Sequence, residues 1–414
     1  MNSNNLKIVQ LQFSKESAGS SAIRLHKAFL QEGINSTLLS LKHDTVTDEH
    51  INYLSYFALR KAKLEYKLKS ICNKKYEIKY GHFSYPFLGT DVSNHKMVKA
   101  ADIIYLHWVL GGFLNFKNLE NIFKLNKPVI IIMHDMWYLT GGCHYSFHCS
   151  KYEIGCNHCQ ILNSNKKNDL SFRGFYKKQN LFNKYNNLNF VSPSKWLFEC
   201  SKKSILIKEK PIYYIPNALD SNLYKPINKK SARDILNIDQ KDTVIAFGAS
   251  NINSPYKGWK YLQKALALLQ KDENFKNITI LIFGSGNDIT ISSSIPFKCK
   301  FLGYLEDDYS VMLAYNSADV FVAPSLADNQ PTTVMESLSS GTSVVAFNIG
   351  GLSDMIKHKE NGYLAKYLDC EDLANGIKFC IQYKIIGKIL SGFEIKQVIS
   401  KHIELINVIK NKLN

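Results

Sequence analysis

The stretch from Val320 to Ala346 constrains the fold of this chain more strongly than any other. An apolar run is followed by Pro324 and Ser325, by a polar loop, and by a helical pattern that ends at Gly341 before a second apolar run. This order predicts two parallel strands joined by a helix, because parallel strands need a crossover connection. Apolar strands alternate with helical segments elsewhere in the chain as well, which predicts an α/β protein with doubly wound parallel sheets.

The length of the chain predicts two such domains. Its 414 residues are 45% hydrophobic, whereas a single hydrophobic core stops growing at about 250–300 residues. Residues 1–13 lead straight into a strand without a basic and apolar leader. No apolar run approaches the roughly 18–20 residues of a membrane-spanning helix, so we expect a cytosolic or peripheral protein.

Asp328 and Glu336 are the candidate ligand-binding carboxylates. Asp328 falls in the polar loop of the 320–346 stretch, and Glu336 falls in the helix that follows it. Both are expected near the carboxyl ends of parallel strands, where open α/β sheets bind ligands. Two carboxylates at that edge can hold sugar hydroxyls. Taken alone, the same residues also fit a loop cap and a solvated helix position.

Residues 328–336, with the sequence DNQPTTVME, resemble the nucleotide-sugar signature of the retaining glycosyltransferases of family 4. Ser340-Gly341 and Gly350-Gly351 extend the resemblance, although the family usually has a glutamate at the place of Asp328. The resemblance implies that Glu336 holds the ribose hydroxyls of the donor nucleotide and that Asp328 lies near the donor sugar. It implies further donor contacts from Asn329, Pro331 and Thr332.

The resemblance also implies the GT-B fold, in which two Rossmann-like domains face a cleft. The segment IPNALD, residues 215–220, is similar to the family's hinge text. We therefore predict an acceptor-side domain over residues 1–208, with a cysteine-rich loop at 143–159, and a nucleotide-sugar-binding domain over residues 209–392. The helical pattern over 393–414 is expected to pack back on the first domain, as in relatives.

Glycines and one lysine near strand ends are the candidate phosphate-binding residues. Small residues let a ligand approach the backbone, and amides at a helix start favour phosphate. Lys257 can neutralise a departing diphosphate as a point charge. Ala249 and Ser250 stand where the family usually has an arginine. No Asp-x-Asp motif that could bind a metal ion at the donor site is apparent, so metal-independent catalysis is expected. With the resemblance, the predicted donor-binding set also includes Gly19, Ser20, Gly248, Lys257 and Gly284.

Two predicted strands end in histidine, His107 and His134. A histidine at the end of a buried strand is often a hydrogen-bonded structural residue. The family has a histidine at the place of His134 that borders the donor sugar and the acceptor, which favours a site role for His134 over His107. The predicted catalytic residues are therefore His134, Lys257 and Asp328.

Four cysteines follow His134 with the spacing C-x5-C-x6-C-x2-C. Four thiolates this close in sequence can surround a tetrahedral zinc ion, and His144, His148 and His158 are substitute ligands. Free thiols and a redox pair are the alternatives. The surrounding segment resembles a subgroup of bacterial family 4 enzymes that build surface polysaccharides such as O-antigen or capsule. The candidate ligands of a structural zinc are Cys143, Cys149, Cys156 and Cys159.

A formal net charge of +17 predicts an anionic partner. Residues 60–79 interleave lysines with Leu64, Tyr66, Leu68, Ile71 and Tyr76, as a basic amphipathic surface helix does. We expect docking on the anionic inner face of the cell membrane, with a cytoplasmic location. A solvated helix in a lysine-rich protein is the alternative.

The predicted function is transfer of a sugar, with retention, from a nucleotide-diphosphate sugar to a growing, lipid-linked glycan. One rival is a nucleotide-sugar epimerase or hydrolase on the same architecture, and another is a catalytically idle scaffold. A third rival is a zinc protein that binds nucleic acid. The basic run lies apart from the cysteine loop in sequence, so we expect no nucleic-acid partner.

Overall fold

The computed structural model describes residues 6–14, 18–42, 51–75, 81–286 and 295–412. It divides the chain into two compact units. The N-terminal unit comprises Met1–Ala218 together with Ile395–Asn414, and the C-terminal unit comprises Leu219–Glu394. Each unit has its own parallel sheet with helices on both faces, so the predicted α/β fold class with two doubly wound sheets is confirmed.

The strands of the N-terminal unit are β1 (Lys7–Gln12), β2 (Asn35–Ser40), β3 (Ile51–Tyr53), β4 (Ile103–Leu106), β5 (Val129–Ile132), β6 (Leu188–Ser192) and β7 (Ile212–Tyr214). They form a seven-stranded sheet in the order β3-β2-β1-β4-β5-β6-β7. The order runs outward in one direction from β1 and in the other from β4. The carboxyl ends of these two strands therefore flank the switch point, which is where open α/β sheets bind ligands.

The helices of the N-terminal unit are α1 (Ala18–Gln31), α2 (Tyr56–Lys75), α3 (Lys96–Ala100), α4 (Phe116–Phe123), α5 (Leu170–Lys184), α6 (Lys195–Lys203) and the closing helix (Ile395–Asn411). The closing helix buries Val398, Ile399 and Ile406 in the same apolar cluster as Phe29 of α1. It thus completes the core of the N-terminal unit although it follows the C-terminal unit in sequence.

Strand β5, near the middle of the N-terminal sheet, is apolar on both faces. In β5, Val129 and Ile131 belong to one core cluster, and Ile130 and Ile132 belong to another. Successive side chains of a strand point to opposite faces, so these two clusters lie on the two sides of the sheet. Helices cover both sides, which is why a continuous apolar run forms a strand here.

The strands of the C-terminal unit are β8 (Thr243–Asn251), β9 (Ile278–Ser285), β10 (Lys298–Gly303), β11 (Val320–Ala323), β12 (Ser343–Phe347) and β13 (Gly362–Ala365). Their order is β10-β9-β8-β11-β12-β13, so the switch point lies between β8 and β11. The helices are α7 (Lys229–Ile235), α8 (Trp259–Leu269), α9 (Asp308–Ser317), α10 (Thr332–Ser339) and α11 (Cys370–Gln382). In chain order the closing helix is α12.

The predicted strand–loop–helix–strand of residues 320–346 is confirmed as β11, α10 and β12. Gly341 follows α10 with a φ of 86°, a conformation that a residue without a Cβ adopts readily. Strands β11 and β12 pair in parallel, with Val320 opposite Ser343 and Ala323 opposite Ala346. The helix therefore crosses over between two adjacent parallel strands.

Three local features are defined only in the structure. The region after residue 45, which periodicity left undefined, contains β3 and the long helix α2; Tyr76 and Lys79 of the predicted basic helix lie outside the described residues. Helix α1 begins at Ala18, so Gly19 and Ser20 lie in its first turn and not in a loop. Strand β8 continues past Gly248 to Asn251, so Gly248 is a strand residue.

No helix within the described parts of the chain combines the length and the apolar character that a membrane crossing requires.

Candidate active site

The two catalytic residues predicted in the C-terminal unit lie on neighbouring loops at its switch point. Lys257 is the last residue of a short 3-10 turn that follows β8, and Asp328 lies in the loop that follows β11. Strands β8 and β11 are adjacent and parallel, with Val320 paired to Ile245. Their carboxyl ends therefore bring the two loops to the same edge of the sheet.

Lys257 and Asp328 form a salt bridge in which the Nζ atom lies 2.7 Å from Oδ2. The side chain of Lys257 is 22% exposed and that of Asp328 is 8% exposed, so the pair is largely shielded from water. Burial alone would lower the pKa of Lys257, but the neighbouring carboxylate of Asp328 outweighs it and raises the pKa above its ordinary value. Lys257 is therefore a charged group held at a fixed place.

The loop that carries Asp328, residues 324–331, is held by close backbone packing. Gly258 has a φ of 77°, and a Cβ there would overlap the carbonyl oxygen of Pro324. The amide of Leu326 donates to the carbonyl of Tyr256 at 2.7 Å. These contacts join the loop after β11 to the loop after β8, and they place Asp328 next to Lys257.

A second glycine supports the same loop from the other side. Gly350 has a φ of 54°, and a Cβ there would overlap the carbonyl oxygen of Asp328. The amide of Gly351 donates to that carbonyl at 3.2 Å. Gly350 of the sequence motif is thus required by the close approach of two backbones.

Glu336 lies in the second turn of α10 and is 6% exposed. The hydroxyl of Tyr315, from α9, donates to its Oε2 atom at 3.4 Å. Asn329 is 1% exposed, and Pro331 and Thr332 form the start of α10. The alternative that Glu336 is a solvated helix residue is therefore wrong, because its side chain is buried. A carboxylate at this burial needs polar partners.

Gly248 and Gly284 have a structural explanation of their own. A Cβ on Gly248 would overlap the ring of Phe283 in the adjacent strand, and a Cβ on Gly284 would overlap the carbonyl oxygen of Ala249. Both glycines let β8 and β9 approach closely. Their predicted donor contact stays a prediction.

In the N-terminal unit the two strand-end histidines contact each other. His107 follows β4 and His134 follows β5, and Nδ1 of His107 lies 3.2 Å from Nε2 of His134. The Nε2 atom of His107 lies 2.8 Å from Oε1 of Gln10, and Nε2 of Gln10 donates to the hydroxyl of Ser36 at 3.0 Å. Both histidines are recognisable in the sequence as strand-end residues, whereas Gln10 and Ser36 have no such signal.

This chain of hydrogen bonds determines which nitrogen of each ring carries the proton. Because Gln10 uses its amide nitrogen for Ser36, its oxygen faces His107 and must accept from Nε2. Burial lowers the pKa of His107 well below its ordinary value, so the ring is neutral and its Nδ1 accepts. His134 must then donate from Nε2. Burial also lowers the pKa of His134 to about 4, which leaves the lone pair on Nδ1 at neutral pH.

Asp135, next in sequence to His134, anchors a second polar chain. Its Oδ2 atom lies 2.6 Å from Nδ1 of His144, and Nε2 of His144 lies 2.8 Å from the hydroxyl of Ser84. Burial raises the pKa of Asp135, but the interaction with His144 outweighs it and the net pKa is lowered. His144, a candidate zinc substitute in the sequence, is thus occupied by Asp135 and Ser84.

The cysteines of the 143–159 loop lie close together. The Sγ atoms of Cys143 and Cys159 are 3.7 Å apart, near the roughly 3.8 Å expected for two thiolates on one zinc with Zn–S bonds of about 2.3 Å. The pKa of Cys143 is raised by its hydrogen bond to Cys159, by burial, and by the neighbouring Cys156 and Cys149. Among the described residues, however, no group of three or more His, Cys, Asp or Glu side chains is arranged to hold a metal ion. Zinc binding at these thiols stays a prediction.

Most of the C-terminal unit matches a known protein family. Residues 241–382 match the family model of the group 1 glycosyltransferases. The C-terminal unit is a group 1 glycosyltransferase domain. The match includes Lys257, Asp328 and Glu336, so the predicted relationship to glycosyltransferases is confirmed for the domain that carries them.

Curated proteins that are similar to part of this chain include bacterial and archaeal glycosyltransferases. The UDP-Gal:alpha-D-GlcNAc-diphosphoundecaprenol alpha-1,3-galactosyltransferase of Escherichia coli is 25% identical over 227 residues, which is 51% of this chain and 58% of that enzyme. The putative colanic acid glycosyl transferase WcaC of Escherichia coli K12 is 24% identical over 70% of each chain. An uncharacterized glycosyltransferase of Methanocaldococcus jannaschii is 32% identical over 29% of this chain and 32% of its own length. The chain thus spans from about a third to just over half of some of these relatives.

Solved structures match nearly the whole chain. The sucrose-phosphate synthase of Thermosynechococcus elongatus has a TM-score of 0.66 at 14% identity, over 98% of this chain and 100% of that chain. Anabaena HepE, in complex with UDP and glucose, has a TM-score of 0.64 at 17% identity, over 97% and 100% of the two chains. At these identities the likeness shows the fold, which is the GT-B fold of glycosyltransferases.

Proposed function

We propose that the protein is a retaining glycosyltransferase that moves a sugar from a nucleotide-diphosphate donor to a lipid-linked glycan. The observation that carries this proposal is the salt bridge between Lys257 and Asp328 at the switch point of the glycosyltransferase domain. Glu336 lies buried one helix turn beyond the same loop. A cation and two carboxylates at this edge suit a ligand that carries both phosphate and hydroxyl groups.

The cation acts on the leaving group. Glycosyl transfer passes through an oxocarbenium-like state in which negative charge builds up on the departing diphosphate. Lys257 supplies a compensating charge, and its salt bridge to Asp328 holds that charge in place before the reaction begins. We propose that this charge replaces a divalent metal at the donor diphosphate, so that adding or omitting Mg²⁺ or Mn²⁺ leaves the transfer rate unchanged.

The two carboxylates bind hydroxyl groups of the donor. Glu336 accepts hydrogen bonds from the ribose, with Tyr315 holding one of its oxygens. Asp328 accepts from the sugar that is transferred, and Asn329, Pro331 and Thr332 line the start of the helix between them. Amides at the start of α10 add partial positive charge for the donor phosphates.

The N-terminal unit contributes His134 as a neutral imidazole. Its Nε2 atom donates to His107 and burial lowers its pKa to about 4, so the ring can act on substrate as an uncharged group at neutral pH. Gly19 and Ser20, in the first turn of α1, are further proposed phosphate contacts.

The proposed donor is a uridine diphosphate hexose. The Escherichia coli relative is a UDP-galactose enzyme that acts on a diphosphoundecaprenol-linked sugar, and the HepE structures contain UDP, glucose or UDP-glucose. WcaC belongs to colanic acid synthesis by its name. These relatives support a role in the synthesis of a surface polysaccharide such as an O-antigen or a capsule.

Helix α2 supports a peripheral position on the inner membrane face. Its side chains Phe57, Leu64, Tyr66 and Ile71 are 76%, 51%, 75% and 63% exposed, and lysines lie between them. An exposed apolar and basic helix suits an anionic bilayer surface. A lipid-linked acceptor would be presented at that surface, on the cytoplasmic side.

The proposal is tested by incubating the protein with UDP-hexoses and a polyprenyl diphosphate-linked sugar. We expect UDP release that depends on the acceptor, and a product whose anomeric coupling constant matches that of the donor. Donor turnover without acceptor would instead support an epimerase or a hydrolase. An inverted anomeric centre would overturn the retaining mechanism.

A further inference from the structure

The N-terminal unit contains an apolar cavity of about 380 Å³ beneath helix α2. This volume falls in the range of roughly 300–1,000 Å³ that is usual for small-molecule sites. None of the predicted catalytic or donor-binding residues lines it. Its walls are therefore available for a part of the substrate other than the donor.

The floor of the cavity lies at the switch point of the N-terminal sheet. Phe13 follows β1 and Trp108 follows β4, and their rings meet edge to face at a centroid distance of 5.4 Å. Leu41, Leu110 and the ring of Tyr85 complete an apolar surface. Such a surface favours a hydrocarbon chain over a sugar.

One face of α2 forms the roof. Leu59, Ala62, Lys63, Tyr66 and Lys69 all line the cavity, and their spacing puts them on one side of the helix. Tyr66 is also 75% exposed, so the cavity opens to solvent beside this ring.

The charged residues of the cavity favour an anion. Lys42, Lys63 and Lys69 line it, and Glu65 is the one acid among the lining residues that the structure describes. Both carboxylate oxygens of Glu65 already accept backbone amides, from Phe87 at 3.2 Å and from the next residue at 2.9 Å. Three lysines against one glutamate leave the lining with a net positive charge.

Lys69 connects the cavity to the strand end that carries His134. Its Nζ atom donates to the hydroxyl of Ser84 at 3.3 Å, and Ser84 is bonded through His144 to Asp135. Burial lowers the pKa of Lys69, although Glu65 opposes this, so an additional anion near Nζ would favour its charged form. A ligand phosphate at Lys69 would thus be linked to Asp135 through the hydrogen bonds of Ser84 and His144.

We propose that this cavity binds the lipid-phosphate end of the acceptor, with an isoprenoid chain against the aromatic walls and the phosphate oxygens at Lys42, Lys63 and Lys69. The inference rests on the proposed function and names the part of the N-terminal unit that recognises the acceptor. Apolar walls with a cationic rim complement an amphipathic anion. Neither a free sugar nor inorganic phosphate would use both features.

The test is isothermal titration of the full-length protein with farnesyl phosphate, in the absence of nucleotide. We expect saturable binding of farnesyl phosphate. Farnesol and inorganic phosphate should each bind at least about tenfold more weakly than farnesyl phosphate does. Leu59→Trp fills the cavity and should abolish binding, while Lys63→Gln should weaken it about tenfold without filling any space. Lys67→Gln, an exposed lysine on the same helix outside the cavity lining, is the matched control and should bind as the wild type does.

Several outcomes would overturn the proposal. Equal affinity for farnesol and farnesyl phosphate would show that the phosphate is not recognised. Unchanged affinity for farnesyl phosphate in both Leu59→Trp and Lys63→Gln would show that the ligand does not bind in this cavity. Phosphatidylglycerol vesicles that compete away farnesyl phosphate at equal lipid concentration would show a general bilayer site. UDP binding is measured separately on the same samples, so loss of the proposed function would appear there while farnesyl phosphate binding persists.

Discussion

Lys257 and Asp328 lie 71 positions apart in sequence, and their side chains meet at 2.7 Å. Both residues follow strands that are neighbours only because the order of the sheet reverses between β8 and β11. The topology therefore creates the pair, and the close backbone contacts of Gly258 with Pro324 and of Gly350 with Asp328 hold it. This pair is the feature on which the account of the donor site depends.

Replacing Asp328 tests what the pair does for Lys257. In Asp328→Asn we expect the pKa of Lys257 to fall, because Asp328 is the group that raises it. Native stability should decrease by about 2 kcal/mol, since a shielded ammonium loses its charged partner. Lysine reactivity towards an acylating reagent, followed by mass spectrometry against pH, reports the pKa.

The same pair predicts how stability depends on pH. A lysine whose pKa is raised on folding contributes stability that is complete below its unfolded pKa of about 10.4, and loses it as the pH rises through the higher folded pKa. The alkaline unfolding limb should therefore move to lower pH in Asp328→Asn. A double-mutant cycle with Lys257→Met is the control, and a coupling energy near zero would contradict the account.

Gly258→Ala should be strongly destabilising. Gly258 combines a φ of 77° with a Cβ position that overlaps the carbonyl of Pro324, so the loop must move. Gly303 has a φ of 72° and open space around it, which makes Gly303→Ala a control for backbone strain alone. In urea unfolding we expect a loss of about 1 kcal/mol for the control and about 3 kcal/mol for Gly258→Ala. Equal losses would mean that the contact with Pro324 contributes nothing.

In Gln10→Leu, the proton of His134 should no longer be fixed on Nε2. The substitution removes no group that is proposed to contact substrate. Without the oxygen of Gln10, His107 is free to hold its proton on either nitrogen, so His134 no longer has to donate from Nε2. We expect kcat to fall roughly tenfold with KM little changed. Imidazole ¹⁵N shifts report the tautomer directly, and this is a readout that a purely structural role would leave unmoved.

Gln12→Leu is the matched control on the same strand. Gln12 is also buried, and its Oε1 atom has no hydrogen-bond partner within the described parts of the chain. Its replacement should leave both the ¹⁵N shifts and kcat close to wild type. A drop in kcat with unchanged His134 shifts in Gln10→Leu would refute the tautomer argument.

Metal analysis tests the cysteine loop. The separation of Cys143 and Cys159 suits two ligands of one zinc, and Cys149 and Cys156 lie near enough to raise the pKa of Cys143. We expect about one zinc per chain in the purified protein, and its loss in Cys159→Ser. Cys299→Ser, a half-buried cysteine of the other unit, should retain it. Zinc well below stoichiometry in the wild type would favour free thiols.

The local pattern of the sequence predicted the parts of the fold that depend on period and turn residues. The 320–346 stretch folded as expected because its apolar runs, its helical spacing and Gly341 all indicate the same arrangement. The burial of Glu336 beside Tyr315 could not be predicted in this way, since it depends on where α9 packs. Long-range contacts have no local signal.

The same distinction explains what was missed in the N-terminal unit. His134 was found because it ends an apolar strand, but Gln10 and Ser84 look like ordinary polar residues in sequence. They acquire roles only when the sheet order puts β1 beside β4 and when the 81–84 segment meets the cysteine loop. The start of α1 at Ala18 was missed because Gly19 and the following serines are weak helix formers.

The most direct test of the donor site is the affinity for UDP of the wild type and of Glu336→Gln, measured by isothermal titration. Glu371→Gln, an exposed glutamate in the same domain, is the control. We predict saturable binding to the wild type and the control, and about 10–100-fold weaker binding to Glu336→Gln, because a charged acceptor for the ribose hydroxyls is lost. Equal UDP affinity in all three proteins, or no binding to the wild type, would contradict the assignment of this site.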